Sequence, residues 1–149
     1  MRAIVQRVNS SRVTVNEEII GEISKGFNVL IGISKDDNED DIKYISEKIL
    51  GLRVFEDEDD KMNLSIQDVK GELLIISQFT LYGDCRKGRR PNFMNAMGGD
   101  EARELYEKLL DTFKKSGLKV ECGEFGAHMI VDIVNDGPVT IMLDSKKEF

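Results

Sequence analysis

An α+β fold is predicted for this chain: one large curved, barrel-like β-sheet with two main helices packed on one side. Three observations predict it. Apolar residues recur with period two toward both ends of the chain. Helical periodicity is confined to two segments, one carrying Ile42, Ile45, Ile49 and Leu52, the other Ala102, Leu105, Tyr106, Leu109, Leu110 and Phe113. The order is strands, helix, strand, helix, strands, without repeats, linkers or low-complexity segments. The 149 residues therefore read as a single domain, 1–149.

Residues 2–8 and 12–15 alternate as half-buried strands do, and Asn9-Ser10-Ser11 reads as a turn between them. Residues 18–23 form a third strand, and Ser24-Lys25-Gly26 turns the chain. The run 27–33 (Phe-Asn-Val-Leu-Ile-Gly-Ile) suits a central strand covered on both faces. The acidic cluster 36–41 precedes the first helix. It lacks the sixth-position Gly and twelfth-position Glu of a calcium loop, and carboxylates favour a helix N-terminus. Residues 53–55 begin another strand before the solvated turn 56–61. Residues 72–81 read as a strand whose apolar start gives way to Ser77 and Gln78. The second helix runs from Asp100, as N-cap, to Ser116, with Gly117 ending it. Strands at 118–122, 129–134 and 139–144 close the chain.

Composition excludes several function classes. The net charge of −7 lacks the basic footprint of an indiscriminate nucleic-acid binder, so no DNA partner is expected. No stretch approaches the about 20 apolar residues that span a bilayer, and the N-terminus has no unbroken apolar segment of the signal-peptide kind. The expectation is a cytoplasmic protein without a membrane partner. Cys85 and Cys122 belong to no metal-binding spacing and are read as reduced thiols. The one histidine, His128, has no Cys or second His nearby, so neither a metal nor another cofactor is expected.

Three stretches carry candidate chemistry. Polar residues end an apolar strand at Ser77-Gln78-Phe79-Thr80-Leu81, where they either line a site or satisfy local backbone groups. Thr80 is a nucleophile only beside a base, and none is near in sequence. Just beyond, Arg86, Lys87, Arg89 and Arg90 form a basic loop in an acidic protein, suited to phosphate oxygens or simply to solvent. The third stretch is Asn135-Asp136-Gly137-Pro138-Val139-Thr140. Its turn-forming residues read as a hairpin, or as bare backbone presented to another group, since Gly permits close approach.

Together, residues 77–81 and 135–140 resemble the paired signature of D-aminoacyl-tRNA deacylases. The opening Gln6-Arg7-Val8 with Val13-Thr14-Val15, Lys61-Met62-Asn63-Leu64, Arg90-Pro91-Asn92-Phe93 and the segment 123–129 match as well. The resemblance covers essentially the whole chain. It implies a homodimer with two sites at the subunit interface, and a cis Gly137-Pro138 bond inserted into the partner's pocket. Gly137 and Pro138 would then screen the substrate's stereochemistry, and Arg7 would brace their loop. Ser77, Gln78, Phe79 and Thr80 would line the catalytic pocket for the terminal adenosine and aminoacyl ester of tRNA. Phe125, Ala127 and Met129 would shape the adenine pocket.

The implied reaction is hydrolysis of the ester between a D-amino acid and the tRNA 3′ end. Backbone N–H groups near Phe79 and Thr80 suit an oxyanion, with the tRNA's neighbouring ribose hydroxyl handling the proton; a nucleophilic Thr80 is the competing expectation. Backbone exclusion cannot reject glycine, so activity on glycyl-tRNA is also expected. A non-catalytic RNA-binding module and a purely structural dimer are the rival readings.

Overall fold

The computed structural model describes residues 1–149. The chain runs through β1 (Arg2–Val15), β2 (Glu18–Ile23), β3 (Gly26–Gly32), α1 (Glu39–Gly51), β4 (Phe55–Glu56) and β5 (Met62–Leu64). It continues through β6 (Glu72–Ser77), a 3-10 turn (Phe79–Tyr82), α2 (Gly99–Lys114), β7 (Val120–Cys122) and β8 (Ile130–Asp144). The main sheet has six strands in the order β2-β1-β3-β6-β7, with β8 on the other side of β1. β3, β6 and β7 run parallel, and the remaining pairs of the main sheet are antiparallel. The sheet curls until its ends meet. Gly21 of β2 lies so close to β7 that a Cβ there would sit 3.1 Å from the Cys122 carbonyl, and Lys119 Nζ donates to the Glu22 carbonyl at 3.0 Å. This is the expected α+β architecture, a nearly closed barrel with two helices.

Alternation divides the core. Phe27, Val29, Ile31, Leu73 and Ile75 point from β3 and β6 toward Ile42, Ile45 and Ile49 of α1 and toward Leu109 and Phe113 of α2. The opposite face turns Leu74 and Ile76 into the barrel with Val8, Val13 and Ile23. β3 and β6 are thus covered on both faces, as their near-continuous apolar runs require. Each fully buried Phe or Ile in these layers is worth about 1.5–3 kcal/mol of transfer free energy.

The acidic cluster starts α1. Asn38 caps the helix, receiving the Asp40 N–H at 2.8 Å, while the Asp41 carboxylate takes the Asn38 N–H at 2.9 Å; together they form a capping box. Asp41 also accepts from Ser145 Oγ at 2.6 Å, and Asp37 pairs with the Met1 amine at 2.6 Å, so the two chain ends are tied together beside α1.

Several boundaries differ from expectation. β1 is one strand, with no turn at 9–11. Ser11 is buried there, its hydroxyl donating to the Asp132 carbonyl at 2.8 Å and lying 3.1 Å from the Asn28 side-chain amide, so polar residues persist inside the barrel because they pair with one another. The strand expected at 53–55 is reduced to the short β4, which pairs with β5 across the turn at 57–61. The N-cap of α2 is Gly98, and Asp100 falls in the first turn, where its charge still meets the helix N-terminus. Gly117, at φ +82, follows the helix as expected. β6 ends at Ser77, because Gln78 bends the chain into the 3-10 turn.

The largest departure is at 135–138. No hairpin forms there. β8 is continuous from Ile130 to Asp144, and its pairing with β1 jumps from Gln6–Thr140 to Val8–Asn135. A single β1 residue, Arg7, therefore faces Asp136, Gly137, Pro138 and Val139, and the surplus chain arches out as an extended bulge.

Candidate active site

The site grows from the end of β6. Leu73, Leu74, Ile75 and Ile76 are buried, which fixes the strand, and Ser77 is the first residue to emerge from it. The Gln78 N–H donates to the Ile31 carbonyl at 2.6 Å, and Gly32 lies directly beneath the turn. A Cβ at Gly32 would approach the Leu81 Cβ to 2.9 Å and the Gln78 carbonyl to 3.1 Å, so only glycine lets the turn sit this low. Leu81 N–H to the Gln78 carbonyl (3.3 Å) and Gly83 N–H to the Thr80 carbonyl (2.9 Å) hold the turn itself. The N–H groups of Phe79 and Thr80 precede the first of these bonds and have no acceptor within the turn.

A cavity of about 530 Å³ opens beside the turn, and nine of its fifteen lining residues are hydrophobic. That size and lining suit a small organic group. Ser77, Gln78 and Phe79 form one wall; Phe125, Ala127 and Met129 form the other. Six of the expected site residues, distant in sequence, thus share one pocket. Tyr106 seats the far wall: its hydroxyl donates to the Ile75 carbonyl at 2.8 Å, and its ring meets Phe125 at 5.6 Å between centroids. Burial pushes the Tyr106 phenol's pKa upward, which keeps this donor protonated.

Thr80 does not line the cavity. It is exposed, and its hydroxyl accepts from the Gln78 side-chain amide. No base accompanies it in that contact.

Phe93, Met97 and His128 line the pocket although sequence reasoning assigned them nothing. Phe93 packs edge-on against Phe79 at 5.0 Å and 69°. The one available signal for Phe93 is its place in the Arg90-Pro91-Asn92-Phe93 match, and for His128 its place in the matched segment 123–129, since no nearby Cys or second His supports zinc or a His-based triad there.

Gly137 and Pro138 lie outside their own chain's cavity. Both are exposed, their peptide bond is cis, and Gly137 has φ +122. Arg7 fastens the bulge from below. Its guanidinium, in a residue 3% exposed, donates to the carbonyls of Asp136 (3.1 Å) and Val54 (2.6 Å) and pairs with Glu56 at 3.0 Å. The hydrogen bond from Arg7 holds the Glu56 carboxyl below its usual range.

The basic loop is a small hairpin closed by the Asp84–Asn92 backbone pair. Arg86 forks onto Asp84 at 2.9 and 2.7 Å and holds that carboxyl down to about 2, whereas Lys87, Arg89 and Arg90 are exposed and form no ion pair. The loop is joined to the turn: a Cβ at Gly83 would come within 3.0 Å of the Phe93 ring. No three His, Cys, Asp or Glu side chains gather into a set that would hold a metal ion.

Known proteins match this chain along its whole length. The family model described as D-Tyr-tRNA(Tyr) deacylase matches residues 4–144. The D-aminoacyl-tRNA deacylase of Clostridium beijerinckii (strain ATCC 51743 / NCIMB 8052) is 72% identical over 149 residues, with both chains fully covered. That of Clostridium perfringens (strain SM101 / Type A) is 67% identical over the same span. Among solved structures, a c-Myc DNA unwinding element binding protein superposes with a TM-score of 0.91 at 44% identity, covering 97% of this chain and 98% of its own. A probable eukaryotic D-amino acid tRNA deacylase shares the fold, with a TM-score of 0.82 at 18% identity, covering 95% and 97%. On these matches the chain belongs to the D-Tyr-tRNA(Tyr) deacylase family, and is an enzyme of that hydrolase family.

Proposed function

We propose that this enzyme cleaves the ester of D-aminoacyl-tRNA and spares the L form by means of the Gly137-Pro138 bulge of a partner subunit. One observation carries this reading: the bulge is rigidly held by Arg7 yet stands exposed outside its own chain's cavity. A second copy supplies what that arrangement lacks. β8 offers the surface, since it pairs only with β1 and exposes Ile130, Val134 and Met142.

In this reading the terminal adenosine lies against Phe125, Ala127 and Met129, and the aminoacyl ester lies along Ser77, Gln78, Phe79 and Thr80. Water attacks the carbonyl carbon, the ester C–O bond breaks, and the ribose oxygen leaves with a proton passed through its neighbouring hydroxyl. The N–H groups of Phe79 and Thr80 hold the oxyanion, an interaction worth roughly 2.7–4 kcal/mol per donor. The contact between the Thr80 hydroxyl and the Gln78 amide, rather than a base, supports this backbone route over a nucleophilic Thr80. The Gly137-Pro138 carbonyls take the α-amine, and their backbone fills the direction an L side chain needs. Arg86, Lys87, Arg89 and Arg90 meet tRNA phosphates. The setting is the cytoplasm.

Deacylation of D- and L-tyrosyl-tRNA by the purified protein tests the reading. Selective loss of the D ester is expected, with Thr80→Ala retaining substantial activity and gel filtration giving about twice the 16.9 kDa chain mass. Binding without turnover would instead mark an RNA-binding module, and a monomer would remove the shared site.

A further inference from the structure

The 3-10 turn is held from behind by a residue to which no role in the reaction has been given. Arg2 is the cross-strand neighbour of Gly32 on β3 and of Asp144 on β8, so it lies at the end of the sheet where Gly32 supports the turn. Its guanidinium donates through Nη1 to the Leu81 carbonyl at 3.2 Å, through Nε to Asp144 at 3.4 Å and through Nη2 to Glu148 at 2.7 Å. The same group lies over the Tyr82 ring at 4.6 Å and beside the Phe149 ring at 5.5 Å. Asp144, its inner partner, has a side chain 1% exposed. The preceding residue is equally fixed, because the Met1 amine bonds Asp37 and Ser145 Oγ, each at 2.6 Å.

A planar fork with an immobile base and several simultaneous partners is a rigid strut, not a loose surface cation. One end of that strut is the carbonyl of Leu81, the residue after Thr80. The turn that carries Phe79 and Thr80 thus has a support in a guanidinium outside the cavity.

We infer that Arg2 is a positioning residue for the hydrolysis, acting through the Leu81 carbonyl on the turn that faces the ester. This rests on the proposed role of residues 77–80. A group that only orients the turn changes stabilisation of the transition state and leaves binding of the adenosine and tRNA alone, so its loss lowers kcat without raising KM.

The test uses the full chain with Arg2→Met and Arg2→Lys, read by steady-state kinetics on D-tyrosyl-tRNA and by amide hydrogen exchange. For Arg2→Met, kcat falls by about 10- to 100-fold, the range for slight misplacement of reacting groups. KM stays within about twofold. Exchange quickens at the Leu81 and Gly83 amides, while β1 and β8 keep their protection. Lysine, a single point donor, restores only part of kcat. An unchanged kcat in folded Arg2→Met, full recovery by lysine, or a raised KM at constant kcat overturns the inference. If Arg2→Met does not fold, Arg2→Lys decides by the same readings, a reduced kcat at constant KM with faster turn exchange being the supporting result. Should the wild type leave D-tyrosyl-tRNA intact, the functional reading fails, and the exchange data alone decide whether Arg2 holds the turn.

Discussion

Arg7 and Asp136 stand 129 positions apart, and the Arg7 guanidinium holds the Asp136 backbone carbonyl at 3.1 Å. Since the same group also holds the Val54 carbonyl and Glu56, the bulge is referenced to the β4 segment, which lies outside the main sheet. Arg7→Ala leaves buried acceptors unpaired, at a cost of about 1–3 kcal/mol. It should also let the bulge drift. The expected result is a lower Tm together with a reduced preference for D- over L-tyrosyl-tRNA, measured as the ratio of kcat/KM values. Unaltered discrimination in a folded variant would separate Arg7 from the filter.

Gly137 tolerates no side chain. At φ +122 an added Cβ would lie 2.9 Å from Val139 Cγ2 and 3.2 Å from Arg7 Nη2, so Gly137→Ala combines backbone strain with crowding. A loss on the order of 1–3 kcal/mol is expected in chemical denaturation. Turnover of D-tyrosyl-tRNA should fall with it if this backbone meets the substrate as proposed.

Glycyl-tRNA would offer the proposed filter nothing to reject. A backbone barrier acts on a side chain, and glycine brings none. Measurable deacylation is expected under conditions that clear D-tyrosyl-tRNA; complete resistance of glycyl-tRNA would falsify steric exclusion as the basis of selection.

The basic hairpin is expected to act through charge alone. Replacing Arg86, Lys87, Arg89 and Arg90 by serine should weaken tRNA binding and flatten its dependence on salt by about 0.7–0.9 in log–log slope for each phosphate no longer neutralised. Three of these cations have no partner within the chain, so the fold should lose little by their removal. A slope equal to that of the wild type means that the loop does not touch phosphate.

Acid should loosen the junction of the chain ends. Burial works against the Asp41 carboxylate, but hydrogen bonds from Ser145, Lys146 and the Asn38 N–H outweigh it and hold its pKa below the usual value. A depressed carboxyl stabilises the native state above its unfolded pKa of about 3.9, and that contribution disappears as the pH falls through the folded value. Asp37 has the opposite sign, since burial outweighs its bond to the Met1 amine and pushes it up. Asp41→Asn should therefore melt below the wild type at pH 7, and the two Tm values should draw together as the pH falls through the lowered pKa of the carboxyl. A gap that persists at pH 2 would assign the loss to helix capping geometry rather than to charge.

The periodic segments were legible because their information is local. The Ile42, Ile45, Ile49 stripe and the double-faced run at 27–33 became α1 and β3 in the expected places. What misled were polar residues whose partners lie far along the chain. Ser11 reads as a turn former until Asn28 and Asp132 meet it inside the barrel. Asn135-Asp136-Gly137-Pro138 reads as a hairpin until β1 runs beside it on both sides. The bend after Ser77 depends on the missing Cβ of Gly32, 45 positions earlier, which no local pattern encodes. Within the pocket, Phe93 and His128 carry no periodic or catalytic signal and are brought in by tertiary packing.

The bulge in β8 is bracketed by two intact ladders: residues 3–6 pair with 140–143, and residues 10–14 with 130–134. Neither ladder draws on the arching residues for its register. Sequence change at Asp136 or Pro138 therefore leaves the inward-facing side chains of both ladders on their original faces. The barrel is a fixed mount for the arch, whose outward-facing positions can change by local replacement without the fold having to be rebuilt.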